Sequence, residues 1–144
     1  MTIAIINTDM NIGPFRIPGN GQNMILNNYA ERNKIIVEEI IPEPFKSSAL
    51  ATTQWVHKKK KLTKIILCSI HQLPQEKRRI DDLLNTMEKV EFHFALESIF
   101  GKGRIFLLDC IKEARIFKEA EIIDSTKMTW SELYELRKRI NKHI

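Results

Sequence analysis

Cysteine is scarce in this chain, with two in 144 residues. Cys68 falls in an apparent strand and Cys110 in a helical stretch. Neither has a Cys or His nearby at ligand spacing, so both read as buried reduced thiols and no metal is expected. Also missing is any run of the ~18 apolar residues that a membrane crossing needs. The opening MTIAIINTDM has neither a basic stretch nor a small-residue cleavage site. A soluble, cytoplasmic protein with no membrane partner is the expectation. No GxGxxG or GKS/T sequence occurs, which argues against a standard dinucleotide or P-loop site, and no cofactor is implied.

What is present is ordinary globular material: 43% hydrophobic and 28% charged residues, enough for one core without disulfides. One α/β domain over 1–144 is expected, with a sheet core over 1–99 and a helical extension over 100–144. The clearest unit is Lys64 to Ile99. The β-branched run Ile65 to Ile70 reads as a buried strand that stops at His71, Gln72, Leu73 and Pro74. Ile80, Leu83, Leu84 and Met87 then recur at helical spacing, and Val90 to Leu96 returns as a strand. Thr2 to Ile6 and Ile35 to Ile41 supply two further strands. Between them runs a Gly/Pro-rich loop over residues 7–21 and a helix with Met24, Ile25, Tyr29 and Ala30 inward and Asn33 as a left-handed stop. Pro42 and Pro44 should end the second strand, and Ser47 or Ser48 should cap the next helix. Beyond Gly103 a long amphipathic helix is expected, a brief extended piece at Ile122 and Ile123, and a last helix opened by Thr129 and Glu132 as a capping box. Trp55, Trp130, Phe92 and Phe94 read as core. This order gives a three-layer sandwich around a mainly parallel four-stranded sheet, with extra C-terminal helices.

The net charge of +5 and the lysines Lys58 to Lys61 raise a nucleic-acid partner as an alternative. No aromatic residue is interleaved with the run, and lysines at the carbonyl end of a helix are favourable there without any partner, so a solvated helix end is the reading preferred.

In open parallel sheets ligands bind outside the carboxyl ends of the strands. That edge would hold Ser69 and His71 after the third strand and Glu97 after the fourth, and strands ~5 Å apart would let His71 and Glu97 meet as an acid/base pair. His93, ~13 Å from Glu97 along its strand, reads as a satisfied core histidine. The loop PGNGQN opens a helix whose amide groups can receive an anion, with Arg16 as the bidentate partner. The candidate catalytic residues are thus His71, Glu97 and Ser69, and the candidate substrate-binding residues Asp9, Arg16, Gln22, Asn23 and Arg79.

The segments FRIPGNGQNMILNNYAERN, SIHQLP and EFHFALE resemble the bacterial sporadic carbohydrate cluster proteins. The matching positions are Arg16, Ile17, Pro18, Gln22, Asn23, Ser69, Leu73, Pro74, Arg79, His93, Phe94, Ala95 and Glu97, whereas ALATTQWVHKKKK is more basic than that pattern. The resemblance implies a setting in surface-polysaccharide or lipopolysaccharide biosynthesis. The order of elements also resembles the catalytic domain of serine recombinases, which implies a resolvase-like architecture. Its chemistry does not transfer: Asn7, Thr8 and Asp9 stand where the nucleophilic serine is expected, and His71 and Gln72 where arginines are. Two functions follow as expectations. One is acid/base action on an anionic sugar or nucleotide-sugar intermediate at the carboxyl edge. The other is a non-enzymatic module, either a homo-oligomeric scaffold using the C-terminal helices or a nucleic-acid binder.

Overall fold

A computed structural model describes residues 1–44, 50–126 and 129–141. The elements in chain order are β1 (Thr2–Asn7), β2 (Asn11–Ile12), β3 (Phe15–Arg16), α1 (Gly19–Arg32), β4 (Glu39–Glu43), α2 (Ala51–Lys60) and β5 (Lys64–Leu67). A 3-10 turn (Ile70–Gln72) follows, then α3 (Lys77–Met87), β6 (Glu91–Phe94), β7 (Ile99–Gly101), α4 (Arg104–Thr126) and α5 (Trp130–Asn141).

Side chains alternate across a strand, and here both faces of the strands are apolar. Ile3, Ile5, Ile65, Leu67, Phe92 and Phe94 pack with α2, α3 and α4, while Ala4, Ile66 and Cys68 pack with Leu26, Tyr29 and Ala30 of α1. The result is the expected three layers around a mainly parallel sheet. Its order is β4-β1-β5-β6-β7, with five strands where four are expected. The extra one, β7, runs antiparallel to β6 because Ser98 takes a left-handed φ of 54° and turns the chain back after Leu96. A second, tiny sheet pairs β2 with β3 inside the glycine-rich loop.

Several local expectations give way to tertiary context. The strand expected over Ile35 to Ile41 starts later, at Glu39, and passes through Pro42. Proline is tolerated there because β4 is an edge strand, bonded only to β1. The left-handed residue after α1 is Lys34, not Asn33, which has φ −100°. Met24 and Trp55, expected in the core, are exposed. The backbone at Ile122 and Ile123 continues α4 and forms no extended piece. The proposed caps Ser47 and Ser48 and the side chain of Trp130 lie outside the described residues, and the described N-cap of α2 is Leu50 at φ 53°. Phe92 and Phe94 are fully buried as expected, and the Glu132 amide donates to Thr129 Oγ1 at 3.2 Å to open α5.

The carboxyl end of α2 has its own closure. Leu62 donates its amide to His57 Nδ1 at 2.9 Å, and Lys61 adopts φ 45°, which sends the chain into β5. A ring that accepts this bond must be neutral at Nδ1. Burial and then the Lys61 ammonium lower the His57 imidazole below its ordinary 6.5. The folded state therefore binds fewer protons than the unfolded one, so this contribution to stability is complete above pH 6.5 and declines as the pH falls through the lowered value. An NMR titration is expected to place the His57 midpoint below 6.5 and to raise it in Lys61→Gln; a midpoint at or above 6.5 contradicts this account of the helix end.

Candidate functional site

β1 passes the chain to β4 across the α1 face, and β5 passes it to β6 across the other, so the strand order reverses between β1 and β5. At such a point an open parallel sheet leaves a crevice outside the carboxyl ends of its strands. Here carboxamides occupy it. The Gln22 side chain, fully buried at the start of α1, donates from Nε2 to the Asn7 carbonyl at 2.9 Å and to the Ile17 carbonyl at 2.8 Å. Its Oε1 accepts from the Asn7 amide at 2.7 Å. Asn7 reaches out in turn, from Nδ2 to the Asn11 carbonyl at 3.1 Å and through Oδ1 to Gln72 Nε2, also at 3.1 Å. Gln72 Oε1 accepts from the amides of Cys68 at 2.8 Å and Ser69 at 3.2 Å. Three amide side chains thus satisfy the backbone groups that the diverging ends of β1 and β5 leave open.

Of the expected catalytic residues, Ser69 and Glu97 meet. Ser69 is buried; its hydroxyl donates to Glu97 Oε2 at 2.9 Å and accepts from the His71 amide at 3.2 Å. Glu97 Oε1 also accepts the Ile70 amide at 2.6 Å, so the carboxylate holds the opening of the 3-10 turn. The His71 ring sits edge-on to Phe15 at 6.1 Å and to Phe117 of α4 at 5.4 Å. Gly13 makes this approach possible: its φ is +56°, and a Cβ there would lie 2.4 Å from His71 Cγ.

The expected binding residues take separate places around the carboxyl edge, with α1 and α3 on opposite faces of the sheet. Asp9 Oδ1 accepts the Asn11 amide at 3.2 Å, an Asx turn that shapes the loop. Arg16 on β3 is exposed and enters no salt bridge among the described residues. Asn23, half-buried, has its Oδ1 shut from water with no hydrogen-bond partner among the described residues. Arg79, in the first turn of α3, faces Glu76 at 3.5 Å. His93 is a satisfied core residue: the Tyr29 hydroxyl lies 2.7 Å from Nδ1 and Glu91 Oε2 3.2 Å from Nε2, so a neutral ring with its proton on Nε2 bonds both. Burial and then the Glu91 charge raise the Tyr29 phenol above its ordinary 10.0.

Both thiols are buried, and burial pushes each up to about 12, Glu97 adding to the effect at Cys68. Neither is a nucleophile at neutral pH. Among the described residues no group of three or more His, Cys, Asp or Glu is placed to hold a metal ion. A groove of about 520 Å³ between α1 and the turn after β6 is lined by residues such as Asn28, Arg32, Leu96 and Ser98, and contains none of the expected site residues.

Three participants escape the sequence reading. Gln72 carries a legible signal, because Ser69-x-x-Gln72 is a capping-box spacing of the kind read at Thr129 and Glu132. Asn7 bonds through contacts that no local pattern announces. Glu43, buried at the end of β4, accepts from the Thr53 amide at 2.5 Å and hydroxyl at 2.9 Å, which ties the carboxyl edge to the first turn of α2.

This architecture resembles that of an integrase catalytic domain. The chain superposes on the N-terminal catalytic domain of TP901-1 integrase with a TM-score of 0.54 and 19% identity, covering 84% of this chain and 99% of that one. At that identity the likeness is one of fold. No protein-family model matches the chain, and no curated protein matches it by sequence. Among the described residues no helix is long and apolar enough to cross a membrane.

The carboxamide network makes a stability prediction. Gln22→Leu strips the Asn7 amide and two carbonyls of their partner in a buried place, which should cost about 2–3 kcal/mol in urea unfolding. It should also speed exchange of the Asn7 amide. A loss under about 0.5 kcal/mol, the size of an ordinary surface change, would refute the role given to Gln22.

Proposed function

We propose that this chain is a cytoplasmic protein of surface-polysaccharide or lipopolysaccharide biosynthesis that binds, and acts by proton transfer on, an anionic sugar or nucleotide-sugar intermediate at the carboxyl edge of its sheet. The observation that carries this reading is Arg16. Its guanidinium is exposed and outside any salt bridge among the described residues, on a small hairpin pinned to the sheet edge through Gln22, Asn7 and Asn11. A charge held on an ordered loop at that edge suits a phosphate or carboxylate. In this reading the carboxamides fill the floor of the crevice and the ligand lies above them. Arg16, Asn23 and Arg79 contact the anion and sugar hydroxyls, and Gln22 acts by fixing the hairpin. His71 and Glu97 move protons, while Ser69 orients Glu97 and Asp9 shapes the loop. The sugar setting rests on the resemblance to the sporadic carbohydrate cluster proteins.

Ligand screening by thermal shift tests the proposal. A nucleotide sugar or sugar phosphate at about 100 times its Kd should stabilise the protein by about 2.7 kcal/mol. The gain should vanish in Arg16→Ala at unchanged ligand-free stability, whereas His71→Ala and Glu97→Gln should abolish turnover. A gain that survives loss of Arg16 would place the ligand elsewhere.

A second reading, a homo-oligomeric scaffold, is favoured by the exposure of Ile116 and Phe117 on α4 and Tyr134 on α5. Truncation before Thr129 should then convert an oligomer to a monomer in light scattering, and a mass that truncation leaves unchanged in subunit number would sink the idea.

A further inference from the structure

We infer that the outer face of α2, whose lysine end lies at the amino edge of the sheet, is a docking surface for single-stranded nucleic acid, with Trp55 stacking on a base and Lys58, Lys59 and Lys61 on the phosphates. Trp55 looks like a core residue in the sequence, yet 60% of it is exposed. An unburied tryptophan on a ten-residue helix beside four lysines is the aromatic element that the lysine run by itself lacks. Lys59 follows Trp55 by one turn and carries its ammonium 5.8 Å from the ring centroid. The ring thus has a cation over it and a wide area open to water.

The charges on this face are sorted. Lys60 pairs with Glu39 at the start of β4 at 3.1 Å, which neutralises one lysine and leaves three. Lys58, Lys59 and Lys61 are exposed and enter no salt bridge among the described residues. Lys64, the next lysine in the chain, is 3.8 Å from Glu91 and stays with β5 and β6. The His57 bond to Leu62 and the left-handed Lys61 fix how the run leaves the helix, so the lysines project from an ordered scaffold rather than from a tail.

This chemistry selects its partner. A base offers a π-face to an indole whatever its identity, and each phosphate is a counterion for one lysine. Duplex bases are already stacked and leave the indole nothing to cover. An anionic bilayer would also attract the lysines, but insertion needs an apolar face. The other exposed positions of α2 are Ala51 and the lysines, which leaves the indole as the one large apolar group on that face. Stacking and phosphate pairing read no sugar hydroxyl, so DNA and RNA strands bind alike.

Fluorescence anisotropy with labelled oligothymidylate and oligouridylate is the test, on the full chain at about 50 to 200 mM salt. Both strands should bind at the lower salt and more tightly than a duplex of equal length. Trp55→Ala should weaken binding about fivefold or more, with Trp55→Phe retaining most of it. The triple change of Lys58, Lys59 and Lys61 to Gln should flatten the log-log salt dependence by about 2. All of these side chains are exposed, and circular dichroism will confirm that each variant is folded. Absence of binding at the lower salt overturns the inference, as does binding that the tryptophan and lysine variants leave intact. Capture by phosphatidylserine vesicles with no affinity for either strand would also overturn it, in favour of a membrane face. Arg16→Ala serves as the control, since it removes the strand-end anion partner and should leave strand binding unchanged.

Discussion

The structure depends on how the backbone is satisfied where β1 and β5 part. Parallel strands that send their connections to opposite faces leave amide and carbonyl groups at their carboxyl ends without a ladder partner. Many folds leave that crevice to a ligand; here Asn7, Gln22 and Gln72 fill it. Each carboxamide has a donor and an acceptor, so a chain of three can bridge α1, β1 and the turn after β5 with both ends bonded. Removal of one member exposes its neighbours to the full cost of buried unpaired polarity, which makes the set act as a unit.

From that anchor the rest of the edge is placed. Gln22 holds the Ile17 carbonyl and Asn7 the Asn11 carbonyl, so the small β2–β3 hairpin is clamped at both of its ends. The hairpin then brings Gly13 and Phe15 against His71, and Phe117 meets the same ring from α4. One imidazole therefore joins the glycine-rich loop, the 3-10 turn and the long helix. On the neighbouring strand ends the Ser69–Glu97 bond and the Ile70 amide lock the turn from the other side. The reactive-looking residues at this edge are held by the same contacts that hold the fold. A ligand would meet them at the rim, where Arg16 stands.

The fold resembles that of an integrase catalytic domain, and fold alone does not bring chemistry with it. The two edges of this sheet differ in kind. The carboxyl edge is polar, ordered and mostly self-satisfied, with a single exposed guanidinium on its hairpin. The amino edge carries the ends of helices, and α2 leads to it with an open indole one turn before its lysines. Separate surfaces of this sort would let the proposed small-molecule site and the proposed polymer surface coexist without competition.

The sequence by itself determined the three layers, the parallel core and the buried β-branched strands, because periodicity and turn residues are local signals that burial only reinforces. It also put Ser69 and Glu97 at neighbouring strand ends, where they meet, since strand ends can be read from Pro, Gly and polar residues, but it passed over the Asn7–Gln72 contact and Glu43. Tertiary structure decided the rest. Pro42 stays in a strand because β4 is at the edge, and β7 exists because Ser98 can turn back onto β6. Trp55 faces water because Thr53 and Val56 take the inward positions of α2, and a helix has room for only one buried face. Glu97 bonds Ser69 and the Ile70 amide through contacts 28 and 27 residues apart in sequence, a pairing set by strand order. Such pairings depend on which strands become neighbours. That choice is made by packing over the whole sheet, and no local window of sequence contains it.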